Sequence, residues 1–510
     1  MTEQVEKKTL FTRFLGVVER SGNKLPHPFI LFVILCIVVI GISLVTNMMG
    51  VSVNHPITGE VIEAQNLFSA EGARWMVLNL MSNFTGFAPL GLVLTMVLGI
   101  GLAEKVGFMS AFMKKVMLGA PEKLLLMSVF FIGIIGNIAS DAAIIIVPPL
   151  AGALFYGTKR NPLVGVAAGY AAACAGFTAN IVIAGTDALL AGITQEAAQS
   201  IQPGIEISPA VNYYFMIVST LVLTVVGAYV TKKFVEPQAG EYIPKEGFAI
   251  NEEEFTVSDI ESKGVIRAGI ASLIYWGLIV AMLIPQNSPF RGEGGTIVPS
   301  PFLSGIVPFI LFWFIIVGIV YGVTVGTIKN SGDVPRYMTK AMEGMAGYIV
   351  LVFIIAQFVQ YFNWTNLGMI LAVSSADVID ALGVSGLPMV IGVLLVSTVV
   401  NLFIGSGSAK WALLSPVFVP MFMVLGYSPE YAQLAYRIGD SVTNAITPLF
   451  PYFPIVLGFF AKYDESKAKI GTVMAMIMPY TLAFGVVWMI MLAIWHFIGL
   501  PLGPGGNILL

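Results

Sequence analysis

Four asparagines stand in two pairs of equal spacing: Asn137 and Asn180 are 43 residues apart, and so are Asn401 and Asn444. Asn137 lies in Gly136-Asn137-Ile138-Ala139-Ser140-Asp141-Ala142, and Asn401 opens Asn401-Leu402-Phe403-Ile404-Gly405-Ser406-Gly407-Ser408. Ser140 and Ser408 are each followed eight residues later by a proline, Pro148 and Pro416, although their alignment needs four extra residues after Asn401. Amide, hydroxyl and loose carbonyl oxygens are the ligands that hard cations take. Asn137, Ser140 and Asp141 at the first tip and Asn401 and Ser408 at the second are therefore candidates for holding a hard cation such as sodium. The competing reading is helix capping, which Ser, Asp and Asn serve wherever a helix restarts.

Three charges stand in apolar surroundings. Asp187 follows Gly176-Phe177-Thr178-Ala179-Asn180 and has no Lys or Arg between Arg160 and Lys232. A carboxylate at membrane depth without a partner takes up a proton, which would make Asp187 a proton carrier; otherwise it caps a helix at the outer interface. Arg437 and Asp440 are three residues apart, on one face of a helix. Either they form a self-contained ion pair, or Arg437 clasps a substrate carboxylate with its planar fork while Asp440 exchanges between that pair and an ion or proton. Pro448, shortly beyond, breaks the helix. Trp411 either stacks on an aromatic substrate or packs in the interior, Lys410 is expected to snorkel, and His496 and the 24 methionines are read as packing.

These groups need a lipid-facing frame. The 510 residues are 57% apolar and 11% charged, with mean hydropathy +0.87, against about a quarter charged in soluble domains. Apolar runs of helical length recur from end to end, which excludes a water-soluble enzyme and a β-barrel's alternation. A net charge of −3 leaves no basic face for nucleic acid. Cys36 and Cys174 both sit in apolar runs, with no zinc spacing and no disulfide framework. There is no Walker A, HExxH or GxSxG motif; Arg437-Ile438-Gly439-Asp440 resembles the GxGD of intramembrane aspartyl proteases, but Arg437 stands where the first glycine belongs. No catalytic residue and no cofactor are expected beyond a coupling ion, sodium or proton.

Charge asymmetry sets the topology. The stretches 1–27, 104–123, 157–161, 232–267, 325–344 and 462–470 hold every Lys and Arg except Arg74, Arg291, Lys410 and Arg437, so they are assigned to the cytoplasm. No small-residue cleavage site follows the first apolar run, so the N-terminus is expected to be kept, inside. The run 124–156 then has both ends in the cytoplasm, and 387–425 has both ends outside. Each must enter and turn back. Nine runs remain as full spans: 29–48, 84–103, 162–190, 213–231, 268–284, 302–324, 345–361, 431–461 and 471–498. The expected fold is an all-α polytopic membrane protein of nine transmembrane helices and two oppositely oriented re-entrant hairpins. It is an inverted repeat with broken helices at 162–190 and 431–461. One membrane domain is expected, its halves 1–231 and 268–510 joined by a cytoplasmic linker, 232–267. That arrangement belongs to secondary transporters that bind near the midplane; an anion channel is the reading it disfavours, because unevenly charged broken spans suit gated binding better than free conduction.

Ser140-Asp141-Ala142-Ala143, Gly176-Phe177-Thr178-Ala179-Asn180, Gly407-Ser408-Ala409 with Trp411, and Arg437 followed by Asp440 resemble the AbgT family of p-aminobenzoyl-glutamate transporters. The likeness runs from Gly22-Asn23-Lys24 to Gly499-Leu500-Pro501. The resemblance implies a homodimer in the bacterial inner membrane, its N-terminus cytoplasmic and its C-terminus periplasmic, moving a small molecule by symport or antiport. It also implies that Asp187, Ser408, Trp411, Pro429, Arg437, Asp440 and Pro448 are positions associated with transport, and that Asn137, Asn180, Asn401 and Asn444 are ion-binding residues, as sodium ligands. The family is described both as importing p-aminobenzoyl-glutamate, a folate catabolite, and as exporting sulfonamide antimetabolites. An aromatic dicarboxylate would suit Arg437, Trp411 and the positive ends of half-helices at the hairpin tips.

Overall fold

Runs of about twenty apolar residues have no way to satisfy their backbone in lipid except as helices, and helices dominate the computed structural model, which describes residues 26–56, 58–139, 142–244, 256–447 and 449–510. Helix α1 (Pro28–Met48) opens with His27 as cap and proline in its first turn. A two-stranded ribbon follows, β1 (Ser52–Asn54) antiparallel to β2 (Val61–Glu63), with Ser52 opposite Glu63. Then come α2 (Ala70–Thr85), α3 (Ala88–Lys105) and α4 (Phe108–Leu118).

The first hairpin is α5 (Leu125–Ile135), a 3-10 turn at Gly136–Ala139, and α6 (Ala142–Gly157). The expected span 162–190 is two helices, α7 (Pro162–Ala175) and α8 (Gly185–Ala198), with non-helical chain between them. Next are α9 (Tyr213–Val230), α10 (Asp259–Leu283), α11 (Ile306–Val325), α12 (Asp333–Glu343), α13 (Ala346–Trp364) and α14 (Leu367–Ala381). The second hairpin is α15 (Leu387–Asn401) and α16 (Gly407–Val424), joined by an unwound tip. The second broken span is α17 (Pro429–Asn444) and α18 (Phe453–Tyr463), and α19 (Ile470–Ile498) ends the bundle.

Nine helices among the described residues are long and apolar enough to cross a membrane. Two of the nine, Glu122–Ala139 and Gly407–Val424, are hairpin arms, whereas neither broken span contributes one. The halves of a broken span are each too short to cross alone, at 14, 14, 16 and 11 residues. Ser140, Asp141 and Pro448 lie outside the described residues, as does 245–255 of the expected linker.

Each hairpin leans on its broken span through glycine. A Cβ on Gly165 of α7 would stand 2.4 Å from the Ala151 carbonyl of α6, and one on Gly439 of α17 would stand 2.4 Å from the Leu394 carbonyl of α15. Only a bare Cα permits that approach. A second group of helices packs alongside, with α3 against α11 and α12, and α10 against α11. The two groups touch chiefly where α8 lies on α3.

Candidate functional site

The first break begins where α7 stops at Ala175. Asn180 lies in the non-helical stretch, and Asp187 sits in the first turn of α8. Asp187 is 3% exposed. Its Oδ2 accepts from the Ala184 amide at 2.7 Å and from Asn180 Nδ2 at 2.9 Å, so the carboxylate closes the helix N-terminus and also sits on its positive end. Its Oδ1 accepts from Arg437 Nη2 at 2.5 Å. The expectation that Asp187 has no cationic partner is thus corrected: the partner comes from another helix, 250 residues along the chain. Arg437 also donates to the Thr178 carbonyl at 2.9 Å, and the Thr178 and Ser441 hydroxyls meet at 2.6 Å. Break and helix α17 are fastened together. Arg437 Nε is buried without a partner among the described residues.

The second cluster joins hairpin 2 to α17. Lys410 is fully buried and its ammonium is 2.5 Å from Asp440 Oδ1. Snorkelling is corrected: Lys410 points inward, because the buried carboxylate offers it a counter-charge in a medium where an unpaired ion is costly. The self-contained Arg437–Asp440 pair is corrected with it, since each of the two has its own partner on a different helix. Lys410 also donates to Asn401 Oδ1. Asn401 Nδ2 faces the Asp440 carbonyl at 2.5 Å, Thr443 Oγ1 at 2.9 Å and Asn444 Oδ1 at 2.9 Å. The Tyr436 hydroxyl lies 2.5 Å from the Gly407 carbonyl and 3.2 Å from Asp440 Oδ1.

Trp411 is fully buried, stacked on Tyr436 with centroids 4.6 Å apart, and its Nε1 donates to Thr194 Oγ1 at 2.9 Å. In this conformation the stacking face expected for a substrate is taken by Tyr436. Thr194 continues to Gln433 Oε1 at 2.6 Å, and Gln433 Nε2 donates to Asn212 at 2.9 Å. Sequence reasoning gave Lys410 the wrong direction and missed Tyr436, Thr194 and Gln433. A polar side chain inside an apolar run is the only mark they carry.

A cavity of about 360 Å³ lies between these clusters and the second helix group. Its polar wall is Thr178, Thr186, Ser406, Ser408, Asp440 and Asn444; Val93, Val97 and Tyr348 face them. Helix α16 starts at this wall, with Ser406 as cap accepting from Ala409, and its first amides add a positive dipole end. The cavity therefore offers hydroxyls, one carboxylate and a helix N-terminus to a ligand. Of the residues singled out from the sequence, it brings together Ser408, Asp440 and Asn444. Arg437, Asp187 and Asn401 stand behind its wall. Asn137 is buried elsewhere, its Nδ2 on the Ile134 carbonyl at 3.1 Å and its Oδ1 without a partner among the described residues. Pro429 starts α17 behind the Ser428 cap, eleven residues from Asp440. His496 packs as expected, stacked on Tyr431. A larger cavity, about 850 Å³, is lined by Ala88, Gln195, Glu206, Ser300 and Pro504 and touches neither ion pair.

With hairpins, breaks and buried pairs in place, the comparison with known sequences is decisive: the model of the AbgT putative transporter family matches residues 13–510. The chain belongs to the AbgT family. The p-aminobenzoyl-glutamate transport protein of Escherichia coli K12 is 42% identical over 494 residues, covering 97% of this chain and 96% of that protein. Among solved structures, the Alcanivorax borkumensis YdaH transporter is 38% identical with a TM-score of 0.88, covering 94% of this chain and all of that one. Neisseria gonorrhoeae MtrF, whose structure illuminates a class of antimetabolite efflux pumps, is 39% identical with a TM-score of 0.90, covering 97% of this chain and all of MtrF. This AbgT chain is accordingly a multi-pass membrane protein of a transporter family.

Proposed function

We propose that the chain is an ion-coupled secondary active transporter, and not an enzyme, that moves p-aminobenzoyl-glutamate and related aromatic carboxylates across the bacterial inner membrane. It works as a homodimer with its N-terminus in the cytoplasm and its C-terminus in the periplasm. Residues 1–231 and 268–510 act as inverted halves, and the two hairpins re-enter from opposite faces. The observation that carries this reading is the cavity at the start of α16: hydroxyls, the Lys410-paired carboxylate of Asp440 and a helix N-terminus on one wall, apolar side chains on the other, and the Arg437–Asp187 pair behind. An aromatic ring with carboxylates fits such a site, the ring against Val93 and Val97 and a carboxylate at the first amides of α16. Arg437 spends Nη2 on Asp187 and Thr178 and is 1% exposed, so a substrate carboxylate reaches its remaining nitrogens only if the buried wall around it opens. The relative named for p-aminobenzoyl-glutamate supports the substrate class.

The test is uptake of labelled p-aminobenzoyl-glutamate into proteoliposomes, with sodium and proton gradients imposed separately. Accumulation under one of them is expected and identifies the coupling ion; none under either refutes the reading. A second reading, proton-driven export of sulfonamide antimetabolites, draws on the likeness to MtrF and on the single cavity charge being the carboxylate of Asp440, which suits an aminobenzene ring without carboxylates. Competition by a sulfonamide in the same vesicles separates the two.

A further inference from the structure

Helix α8 carries two buried carboxyl groups, Asp187 and Glu196, and surrounds them differently. Asp187 faces the Arg437 guanidinium and accepts from the Ala184 amide at 2.7 Å, within the range of about 2.7–2.9 Å at which an ionised acceptor holds its donors. Glu196 is 7% exposed and stands in no ion pair among the described residues. Both its partners are neutral and more distant, the Ala88 amide at 3.2 Å on Oε1 and Gln360 Nε2 at 3.0 Å on Oε2. Helix α8 packs against α3, α13, α16 and α17, and the charges on those elements are committed elsewhere. Lys105, at the far end of α3, pairs with Glu104, while Lys410 and Arg437 hold Asp440 and Asp187. Glu430, at the start of α17, accepts from the Asn507 amide, and Glu206, on the loop beyond α8, is exposed. The tyrosines of α13 and α17, Tyr348, Tyr361, Tyr431 and Tyr436, bring hydroxyls that are uncharged at neutral pH.

An ionised Glu196 is therefore a buried charge without a counter-charge, a costly state. The start of α3 favours an anion, but only one of its amides reaches the carboxyl. A proton removes the charge and sacrifices no bond, because Gln360 has an acceptor as well as a donor and a carboxylic acid still accepts from Ala88. We propose that Glu196 is a proton-binding site of this chain, occupied while α8 lies on α3. The proton sits at the boundary between the two helix groups; parting of the groups brings water to the carboxyl and releases it, so proton binding and closure of the boundary favour each other. Its use in coupling rests on the chain being an ion-driven carrier, and the binding itself does not.

The experiment records infrared spectra of the purified full-length protein, its glutamate carboxyls isotopically labelled, at about pH 6.5, where an ordinary glutamate of pKa about 4.3 is ionised. A protonated carboxyl has a C=O band that an ionised one lacks, and the label separates glutamate from aspartate. Subtracting the Glu196→Gln spectrum from that of wild type is expected to leave one such band, and Gln360→Leu to move it to higher frequency, because the acid has lost a hydrogen-bond partner. A difference spectrum that is flat in this region overturns the proposal. If Glu196→Gln does not fold, Gln360→Leu decides alone: a displaced band supports the proposal and an unchanged spectrum overturns it. Because the spectra are taken without substrate, failure of p-aminobenzoyl-glutamate uptake would count against the proposed function and leave this result standing.

Discussion

Asp187 and Arg437 are worth more as a pair than singly. Each is buried, and removing one leaves the other's charge uncompensated, at a cost of about 3–5 kcal/mol. Asp187→Asn and Arg437→Gln are each expected to lower stability by that order, and the double variant to recover part of the loss. A double-mutant cycle by chemical denaturation should give a coupling above about 1 kcal/mol; simple additivity would mean that the contact contributes nothing of its own. The residue types were legible in the sequence: Asp187, Arg437 and Asp440 stand out because charges are scarce in these runs, and the shared spacing of the asparagines marks both breaks. The partners were not. Asp187 is 250 residues from Arg437 and Lys410 is 30 from Asp440, and a sequence shows neither which way a lysine points nor which helix lies opposite. Trp411 shows the same limit, since its ring is fully used by Tyr436 and Thr194.

At the scale of elements, the two helix–turn–helix units were readable from apolar runs too long for one helix with a polar, glycine- and serine-bearing middle. The runs 124–156 and 387–425 correspond closely to α5–α6 and α15–α16. Helices α2, α12 and α14 escaped, being 16, 11 and 15 residues long and set in stretches read as loops. Helix α12 is fastened at its start to the turn that precedes it. The Asp333 carboxylate accepts from the Lys329 amide at 2.7 Å and the Asn330 amide at 3.1 Å, and Arg336 lies 2.8 Å away. The Lys329 amide first, then the Asn330 amide and Arg336, hold the Asp333 carboxyl below its ordinary value of 3.8, against the desolvation of the site. A carboxyl depressed in the fold gives stability that is complete above its ordinary value and is lost as the pH falls through the depressed one. Amide exchange of 327–343, corrected for intrinsic rates, should therefore loosen in acid relative to neutral pH in the wild type. In Asp333→Asn it should be loose at both, and a wild-type segment equally protected throughout would show that the carboxylate's hold on the turn does not matter.

Over the whole molecule, the helices divide into a group bearing hairpins and breaks and a group built on α3, α10, α11 and α12, with α8 lying on α3 between them. Their contact is close and specific. A Cβ on Gly192 would stand 2.9 Å from Pro89 N, and one turn further along α8 the Glu196 carboxylate accepts from the Ala88 amide at 3.2 Å and from Gln360 Nε2 at 3.0 Å. Helix α3 has no side-chain cap of its own, so Glu196 supplies one from across the boundary. Elsewhere the hairpin-bearing group is closed on itself: the C-terminal tail ties Leu502 to Phe215 of α9 and Ile508 to Ser428 at the start of α17. If the two groups are separate cooperative units, losing a contact at their boundary loosens the boundary and not the tail. Glu196→Ala strands the Ala88 amide and Gln360, a loss of about 1–3 kcal/mol. Deuterium uptake is expected to rise in 84–92 and stay unchanged in 500–510. A uniform rise across both segments would show one cooperative body, and a carrier that slides one group past the other would then have to break far more than the α8–α3 contact.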